Sequence, residues 1–145
     1  MTIWANGTFD LLHVGHFNLL SYARHLAGYN GYFIVGIDSD ERYMKLKKQR
    51  PLFNEKQRLA ALRSLRLNNG PLIDTIHIFN SDQELIDLIK SVDPLYMVVG
   101  HDWRGKEIIG HELVKEVKFF QMESHVISRS SEITQLILNR HHPPA

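Results

Sequence analysis

Near its beginning the chain reads Gly7-Thr8-Phe9-Asp10-Leu11-Leu12-His13-Val14-Gly15-His16. The short stretch before it, Thr2–Ala5, is apolar and β-prone, which predicts a strand that runs straight into a loop. From His16 to Leu26, apolar residues recur at the spacing of an amphipathic helix. A strand, a loop and a helix in this order predict the first part of a βαβ unit.

Apolar segments and helical segments alternate along the rest of the chain. Further strands are predicted at residues 32–37, 75–79, 96–99 and 117–122, and helices at residues 55–67, 81–91, 108–114 and 132–139, with a short helix inside 38–48. Such alternation favours a parallel sheet. We therefore predict an α/β fold with one Rossmann-like domain over residues 1–140, in which helices cover both faces of a five-stranded parallel sheet, and a C-terminal tail at residues 141–145.

The composition limits the classes of function. The chain has 145 residues, which suits one domain, and a formal net charge of +1, which favours neither nucleic acid nor an anionic membrane as a partner. It has no cysteine, so disulfides, thiolate metal sites and cysteine nucleophiles are excluded. The N-terminus lacks a signal-peptide pattern, and no apolar run approaches the ~20 residues of a membrane span. We expect a cytoplasmic protein that binds neither nucleic acid nor membranes.

The predicted topology indicates where a ligand should bind. In open parallel sheets, ligands lie beyond the carboxyl ends of the strands, near the point where the strand order reverses. Four segments of this chain are expected at that edge: Gly7–His16, the loop from Asp38 onward, Gly100-His101-Asp102-Trp103, and Ser128–Ser131 at the start of the last helix.

Two histidines in the first of these segments are three positions apart. A phosphate is favoured there, because loop amides and the positive end of a helix dipole lie close together. His13 and His16 can face one ligand together, and an imidazole can donate a hydrogen bond to a phosphate oxygen. Gly15 leaves room for the phosphate. Two other interpretations stay open: a metal site that includes Asp10, and two histidines that merely begin a helix.

The first segment resembles the signature of a known superfamily. Gly-Thr-Phe-Asp-Leu-Leu-His-x-Gly-His after an N-terminal strand is similar to the motif of the cytidylyltransferase-like nucleotidyltransferases, which include glycerol-3-phosphate cytidylyltransferase, the heptose-1-phosphate adenylyltransferases and the archaeal FAD synthetases. The resemblance extends over nearly the whole chain, through Ser39-Asp40, Leu46-Lys47, Arg50-Pro51, Glu55, Arg58, Val99-Gly100-His101-Asp102-Trp103-Arg104-Gly105-Lys106 and Ile108-Ile109-Gly110.

The resemblance implies a reaction and a set of catalytic residues. The phosphate of a small alcohol or sugar phosphate attacks the α-phosphorus of a nucleoside triphosphate, with CTP preferred over ATP, and pyrophosphate leaves. His13, His16 and Lys47 are implied as catalytic groups, and Mg²⁺ is expected with the triphosphate. Lys45 and Lys48 are interpreted as a solvated charge run. The resemblance also implies a homodimer.

Further contacts to the nucleotide and the acceptor follow from the same resemblance. The implied nucleotide-binding residues are Gly7, Thr8, Phe9, Asp10, Gly15, Gly100, His101, Asp102, Arg129, Ser130 and Ser131. Candidates for the acceptor or its phosphate are Arg58, Arg66 and Asp38. Alternatives remain for several of them: Asp102 as a helix N-cap, Trp103 as a core residue, Ser130 and Ser131 as helix caps, and the arginines as residues on the surface of one helix.

The chain departs from the family pattern in two places. Position 101 is His where the glycerol-phosphate cytidylyltransferases carry a second Asp, and Arg129 replaces the first serine of the usual Ile-Ser-Thr-Thr-like run. Adenylyl transfer to a sugar phosphate or a flavin phosphate is therefore kept as an alternative. A nucleotide-binding module that has lost catalysis and a metal-binding or structural domain are the other two.

Overall fold

The structure is a computed structural model that describes residues 1–121 and 130–141. Strands and helices alternate from the first residues onward, as the sequence predicts. The elements are β1 (Thr2–Gly7), α1 (Val14–Ala27), β2 (Tyr32–Asp38), α2 (Asp40–Lys47), α3 (Glu55–Arg63), β3 (Arg66–Leu67), β4 (Gly70–Pro71), β5 (Thr75–Phe79), α4 (Asp82–Val92), β6 (Tyr96–Gly100), β7 (Glu116–Phe120) and α5 (Ser130–His141), with 3-10 turns at His101–Trp103 and His111–Leu113.

The large sheet confirms the predicted fold class. Five strands run parallel in the order β5-β2-β1-β6-β7, so β1 is central. Thr2 pairs with Tyr32 on one side of it, and Ile3 pairs with Tyr96 on the other. The strand order therefore reverses at β1, and the loop that follows β1 lies at the switch point where this class of sheet binds its ligands.

Each face of the sheet is covered by a helix with a buried apolar stripe. On one face, Leu20 and Ala23 of α1 pack with Phe33 and other buried residues of β1 and β2. On the other face, Leu85 and Ile89 of α4 pack with a cluster that includes Trp4. The two clusters confirm that helices lie on both faces. Among the described residues, no helix is both long enough and apolar enough to cross a membrane.

A glycine in β2 makes room for the central tryptophan. A Cβ placed on Gly36 would lie 2.7 Å from Cζ2 of Trp4, whose indole is fully buried. The indole Nε1–H donates to Oδ1 of Asn6 at 2.8 Å. Gly36 is therefore required by close packing rather than by a turn.

The start of α1 and the end of α3 differ from the prediction, and each difference has a physical cause. Helix α1 begins at Val14 rather than near His16, because the His13 side chain acts as the N-cap. Helix α3 ends at Arg63 rather than at Leu67, and Asn68 and Asn69 adopt left-handed backbone conformations that turn the chain into the small β3–β4 hairpin. Asparagine tolerates that conformation better than most residues.

The prediction of a helix at residues 108–114 was wrong. The structure has only a single 3-10 turn there, His111–Leu113, and Gly110 precedes it with φ of 88°. That backbone conformation ends a helix rather than continuing one. A Cβ on Gly110 would lie 2.6 Å from Cδ1 of Ile89, so the same glycine also allows close packing against α4.

Candidate active site

The two histidines of the first loop are held together at the start of α1. His13 is buried (7% exposed), and its Nδ1 accepts a hydrogen bond from the backbone N–H of Gly15 at 3.1 Å. Nδ1 of His16 in turn accepts from the backbone N–H of His13 at 3.3 Å. The reciprocal pair is a capping box made of histidines, and it brings the ring centroids to 4.0 Å from each other. Both rings therefore have fixed positions before any ligand arrives.

The hydrogen bonds indicate which tautomer each ring adopts when it is neutral. A backbone N–H can only donate, so a neutral His13 or His16 accepts on Nδ1 and carries its proton on Nε2. Burial, followed by the charge that His13 carries when it is protonated, lowers the pKa of His16 to about 4. At neutral pH His16 is therefore uncharged, and its Nε2–H can donate to a ligand.

Phe9 links the loop to this pair through a strained backbone. Its φ is 51°, which is uncommon for a residue with a bulky side chain, and its ring lies 5.3 Å from that of His16. A Cβ on Gly7 would lie 3.2 Å from the Phe9 ring, so glycine is favoured at the end of β1. Phe9 is 6% exposed, so packing holds the strained conformation. The Phe9 ring therefore packs beside the His16 ring and helps to hold its position.

Thr8 and Asp38 contact each other across two strand ends. The Thr8 hydroxyl donates to Oδ2 of Asp38 at 2.9 Å, and Nε of Arg42 donates to Oδ1 of the same carboxylate at 2.8 Å. Arg42 also binds Asp82 at 2.7 Å. Burial lowers the pKa of Arg42, but the hydrogen bonds that Arg42 donates to Asp82 and Asp38 outweigh it, so the pKa lies above its ordinary value. Because the Thr8 hydroxyl proton is used, its backbone N–H is the better candidate for a phosphate contact.

Arg58 is a buried connector in this structure. The residue is 1% exposed, and its guanidinium donates to the carbonyl oxygens of Phe53, Thr8 and Asp38 at 2.8–2.9 Å. It also pairs with the Asp40 carboxylate at 2.8 Å. These contacts favour a role in holding the loops after β1 and β2 over direct contact with an acceptor phosphate.

Asp10 is engaged by the protein backbone. Its Oδ2 accepts from the N–H of Leu52 at 2.7 Å, and its Oδ1 accepts from the N–H of Phe53 at 2.8 Å. Both oxygens are thus used, which argues against a metal site completed by Asp10. In the described parts of the chain, no three His, Asp or Glu side chains are grouped as ligands for a metal ion.

The basic residues singled out in the sequence have different environments in the structure. Lys47 is the exposed last residue of α2. Lys45 forms a surface ion pair with Glu41 at 3.3 Å, in keeping with its interpretation as a solvated charge. Arg66 lies on β3 and donates to the carbonyl oxygens of Arg63 and Leu65, so the prediction that it shares a helix with Arg58 was wrong.

The segment after β6 forms an exposed, arginine-supported turn. Nε of Arg104 donates to Nδ1 of His101 at 3.3 Å, and its guanidinium carbon lies 4.6 Å from the ring centroid of Phe119. Gly100, and not Asp102, holds the N-cap position of this turn. Trp103 is 49% exposed, so its assignment to the core was wrong. These groups are accessible to a ligand at the same edge of the sheet as the histidines.

The last predicted segment is only partly covered by the described residues. Arg129 lies outside them, and Ser130 and Ser131 contribute the first backbone positions of α5. Two supporting arginines, Arg42 and Arg104, were missed by sequence reasoning. Asp38 ends β2 and Arg42 lies on α2, so the ion pair between them depends on the turn at Ser39 and has no helical spacing signal in the sequence.

Comparison with known proteins agrees with the fold and identifies related chains. The model of a family described as cytidylyltransferase-like matches residues 4–138. The chain is 36% identical over 117 residues to the bifunctional protein HldE of Campylobacter concisus, and 38% identical over 122 residues to that of Helicobacter pylori. These matches cover 80% and 83% of this chain, but 23% and 24% of the relatives. The chain thus spans about a quarter of their length.

Two solved structures share the fold. The lipopolysaccharide core biosynthesis protein from Thermoplasma volcanium GSS1 aligns with a TM-score of 0.61 at 21% identity, over 85% of this chain and 96% of that one. A protein of unknown function from Archaeoglobus fulgidus aligns with a TM-score of 0.60 at 18% identity, over 85% of this chain and 90% of that one.

Proposed function

Because this chain belongs to the cytidylyltransferase-like family, we propose that it transfers a nucleoside monophosphate from a nucleoside triphosphate to a small phosphorylated acceptor. The single observation that carries the proposal is the histidine capping box at the start of α1, which fixes the positions of both imidazole rings at the switch point of the sheet. A helix N-terminus favours a bound phosphate, and fixed donors at that position stabilise charge that develops there.

The proposed chemistry is an in-line displacement with no covalent enzyme intermediate. An oxygen of the acceptor phosphate forms a bond to the α-phosphorus, the bond from that phosphorus to the bridging oxygen breaks, and pyrophosphate leaves with the bonding electron pair. His13 and His16 donate to oxygens that gain charge in the transition state. Lys47 neutralises the phosphates from the end of α2. The protein contributes mainly position and charge, which suits phosphoryl chemistry.

Mg²⁺ is proposed as a companion of the triphosphate. The Asp10 and Asp38 carboxylates already accept hydrogen bonds from protein groups, so they fit a metal poorly. Phosphate oxygens and water would supply the ligands, as they commonly do for this ion. A homodimer is proposed from the family resemblance alone, and sedimentation of the purified chain tests it.

Cytidylyl transfer is the first assignment for the donor. Gly100-His101-Asp102-Trp103-Arg104-Gly105-Lys106 resembles the matching segment of the glycerol-phosphate cytidylyltransferases, and the exposed Asp102 carboxylate can accept from a base amino group. Adenylyl transfer to a sugar phosphate or flavin phosphate is the second candidate. It is favoured by His101, which stands where those cytidylyltransferases have an Asp, and by the resemblance of Ile108-Ile109-Gly110 to the heptose-phosphate enzymes.

Pyrophosphate release tests the proposal directly. The protein is incubated with Mg²⁺, each of the four nucleoside triphosphates in turn, and a panel of alcohol, sugar and flavin phosphates. We expect release with CTP or ATP, and the preferred nucleotide separates the two candidates. His16→Ala should lower kcat/KM by about 10²–10³, the usual effect of removing one fixed donor. His25→Ala, on the exposed far end of the same helix, is the matched control and should remain active.

Other outcomes would support the remaining alternatives. Binding of a triphosphate without turnover of any acceptor would indicate a module that has lost catalysis. An unchanged kcat/KM in His16→Ala would remove His16 from the mechanism and refute the proposed site.

A further inference from the structure

We propose that Asp10 is a positioning residue rather than a nucleotide ligand, and that it forms a clamp with Arg58 on the Leu52–Phe53 segment. The clamp sets where Lys47 stands relative to the histidine loop. This inference rests on the proposed function, because it assigns Lys47 to the triphosphate.

The clamp holds one peptide segment from both sides. The two oxygens of Asp10 accept from the consecutive N–H groups of Leu52 and Phe53 at 2.7 and 2.8 Å. The carbonyl oxygen of Phe53 accepts from Nε of Arg58 at 2.9 Å. All three hydrogen bonds involve a charged side chain, and such bonds are about twice as strong as neutral ones. Asp10 thus has no oxygen without a backbone partner to offer a nucleotide.

The side chains of this segment are only partly covered. Leu52 is 70% exposed and Phe53 is 43% exposed. Because neither side chain is buried, we expect the backbone bonds to Asp10 and Arg58 to contribute strongly to the position of the segment. Loss of one of these hydrogen bonds should therefore increase the mobility of the Leu52–Phe53 segment.

The segment is joined to Lys47 by a short connection. Helix α2 ends at Lys47, and the cap residue Lys48 has a left-handed backbone. Pro51 fixes its own φ and restricts Arg50. Because only four residues lie between Lys47 and Leu52, we expect a displacement at Leu52 to reach Lys47.

The same clamp holds the other end of α2 and the histidine loop. The Asp40 carboxylate at the start of α2 pairs with Arg58 at 2.8 Å, and the Asp40 N–H donates to Glu55 at 3.1 Å. Arg58 also donates to the carbonyl oxygen of Thr8, and Asp10 itself belongs to that loop. Helix α2, which carries Lys47, is thus connected to the histidine loop at both ends: through Arg58 at its start, and through Asp10 and the Leu52–Phe53 segment beyond its end.

Amide hydrogen exchange tests whether the clamp exists. Asp10→Asn keeps the shape of the side chain but removes its charge, and its NH₂ group opposes one of the two backbone N–H groups. We expect exchange at the amides of Leu52 and Phe53 to rise by about 10- to 100-fold, as for the loss of a hydrogen bond to a charged group. Unchanged exchange at the amides of β1, measured in the same spectra, shows that the variant is folded. Asp87→Asn, an exposed aspartate on α4, is the matched control.

A double-mutant cycle tests whether the clamp acts through Lys47. Inorganic tripolyphosphate is the binding probe, and kcat for pyrophosphate release is the second readout. Lys47→Ala should weaken tripolyphosphate binding by about tenfold, and Asp10→Asn should do nearly the same, because a small misplacement of a binding group costs as much as its loss. In the Lys47→Ala background, Asp10→Asn should then have almost no further effect.

Each outcome has a definite meaning. Unchanged exchange at Leu52 and Phe53 in Asp10→Asn would overturn the clamp. Additive effects of the two substitutions, about a hundredfold together, would overturn its action through Lys47. If the wild-type chain neither binds tripolyphosphate nor releases pyrophosphate, the proposed function fails, and the exchange experiment still decides whether the clamp exists.

Discussion

Replacement of His16 by glutamine should remove a steep pH dependence of stability while keeping the helix start intact. The pKa of His16 is 6.5 in the unfolded chain and about 4 in the folded protein. Between these values the unfolded chain binds a proton that the folded protein excludes. The stability that this group contributes is therefore complete above about pH 6.5 and is lost as the pH falls toward about 4.

The size of the effect follows from the two pKa values. One pKa unit corresponds to about 1.4 kcal/mol, so the full shift corresponds to about 3 kcal/mol, of which about 2 kcal/mol should be lost between about pH 7 and about pH 4.5. The physical cause is burial of the ring, followed by the charge of the neighbouring His13. In addition, a protonated His16 could no longer accept the N–H of His13 on Nδ1. Glutamine at this position of a capping box can still accept that bond, and it does not titrate.

Urea unfolding from about pH 7.5 to about pH 4.5 measures the difference. The free energy of unfolding of wild type should fall faster than that of His16→Gln by the amount given above, because the other carboxylates and histidines are common to both proteins. His25→Gln, an exposed change at the far end of α1, should follow the wild-type curve. Parallel curves for wild type and His16→Gln would refute the assignment of a half-buried, neutral His16.

Three other substitutions test separate parts of the structure. Arg58→Met should lower the free energy of unfolding by about 3–5 kcal/mol in urea titrations, because it leaves Asp40 and three carbonyl oxygens without their buried partner. Gly36→Ala should cost about 1–3 kcal/mol and lower Tm in thermal unfolding, since the new Cβ would lie 2.7 Å from the Trp4 ring; an unchanged Tm would show that the ring can move aside. His101→Asp should raise the ratio of kcat/KM for CTP over ATP by about tenfold, because it restores the carboxylate found in the glycerol-phosphate enzymes. An unchanged ratio of kcat/KM for CTP over ATP would show that His101 does not contribute to selection of the base.

The sheet could be predicted from the sequence because its strands carry a strong local signal. The apolar run at residues 32–37 and the alternation of strands with helices are enough to predict a parallel sheet, and the rule for ligand position then selects the loop after β1. The start of α1 could not be placed as well. Histidine is not among the usual N-cap residues, and only the structure reveals that His13 fills that role.

Long-range contacts explain most of what the sequence did not predict. In sequence Arg58 is an ordinary arginine on a helix, and only the fold brings it to Thr8, fifty positions earlier. The resemblance implied that Asp10 binds nucleotide, whereas its carboxylate is satisfied by amides 42 and 43 positions later. The end of α3 was missed for a local reason, because Leu65 and Leu67 continue the apolar pattern beyond the last helical residue.

The central position of β1 has a consequence for the order of folding. Its pairing with β2 joins residues such as Thr2 and Tyr32, whereas its pairing with β6 joins Ile3 to Tyr96 and must close a much longer chain segment. Closing long segments costs more entropy, so we expect β1, α1 and β2 to assemble first and β6 and β7 to dock afterwards. The histidine loop would then exist early, facing an edge still without Gly100 and His101. A ligand that bridges both sides of β1 would bind only to the finished sheet, and its capture during refolding would mark the last step of assembly.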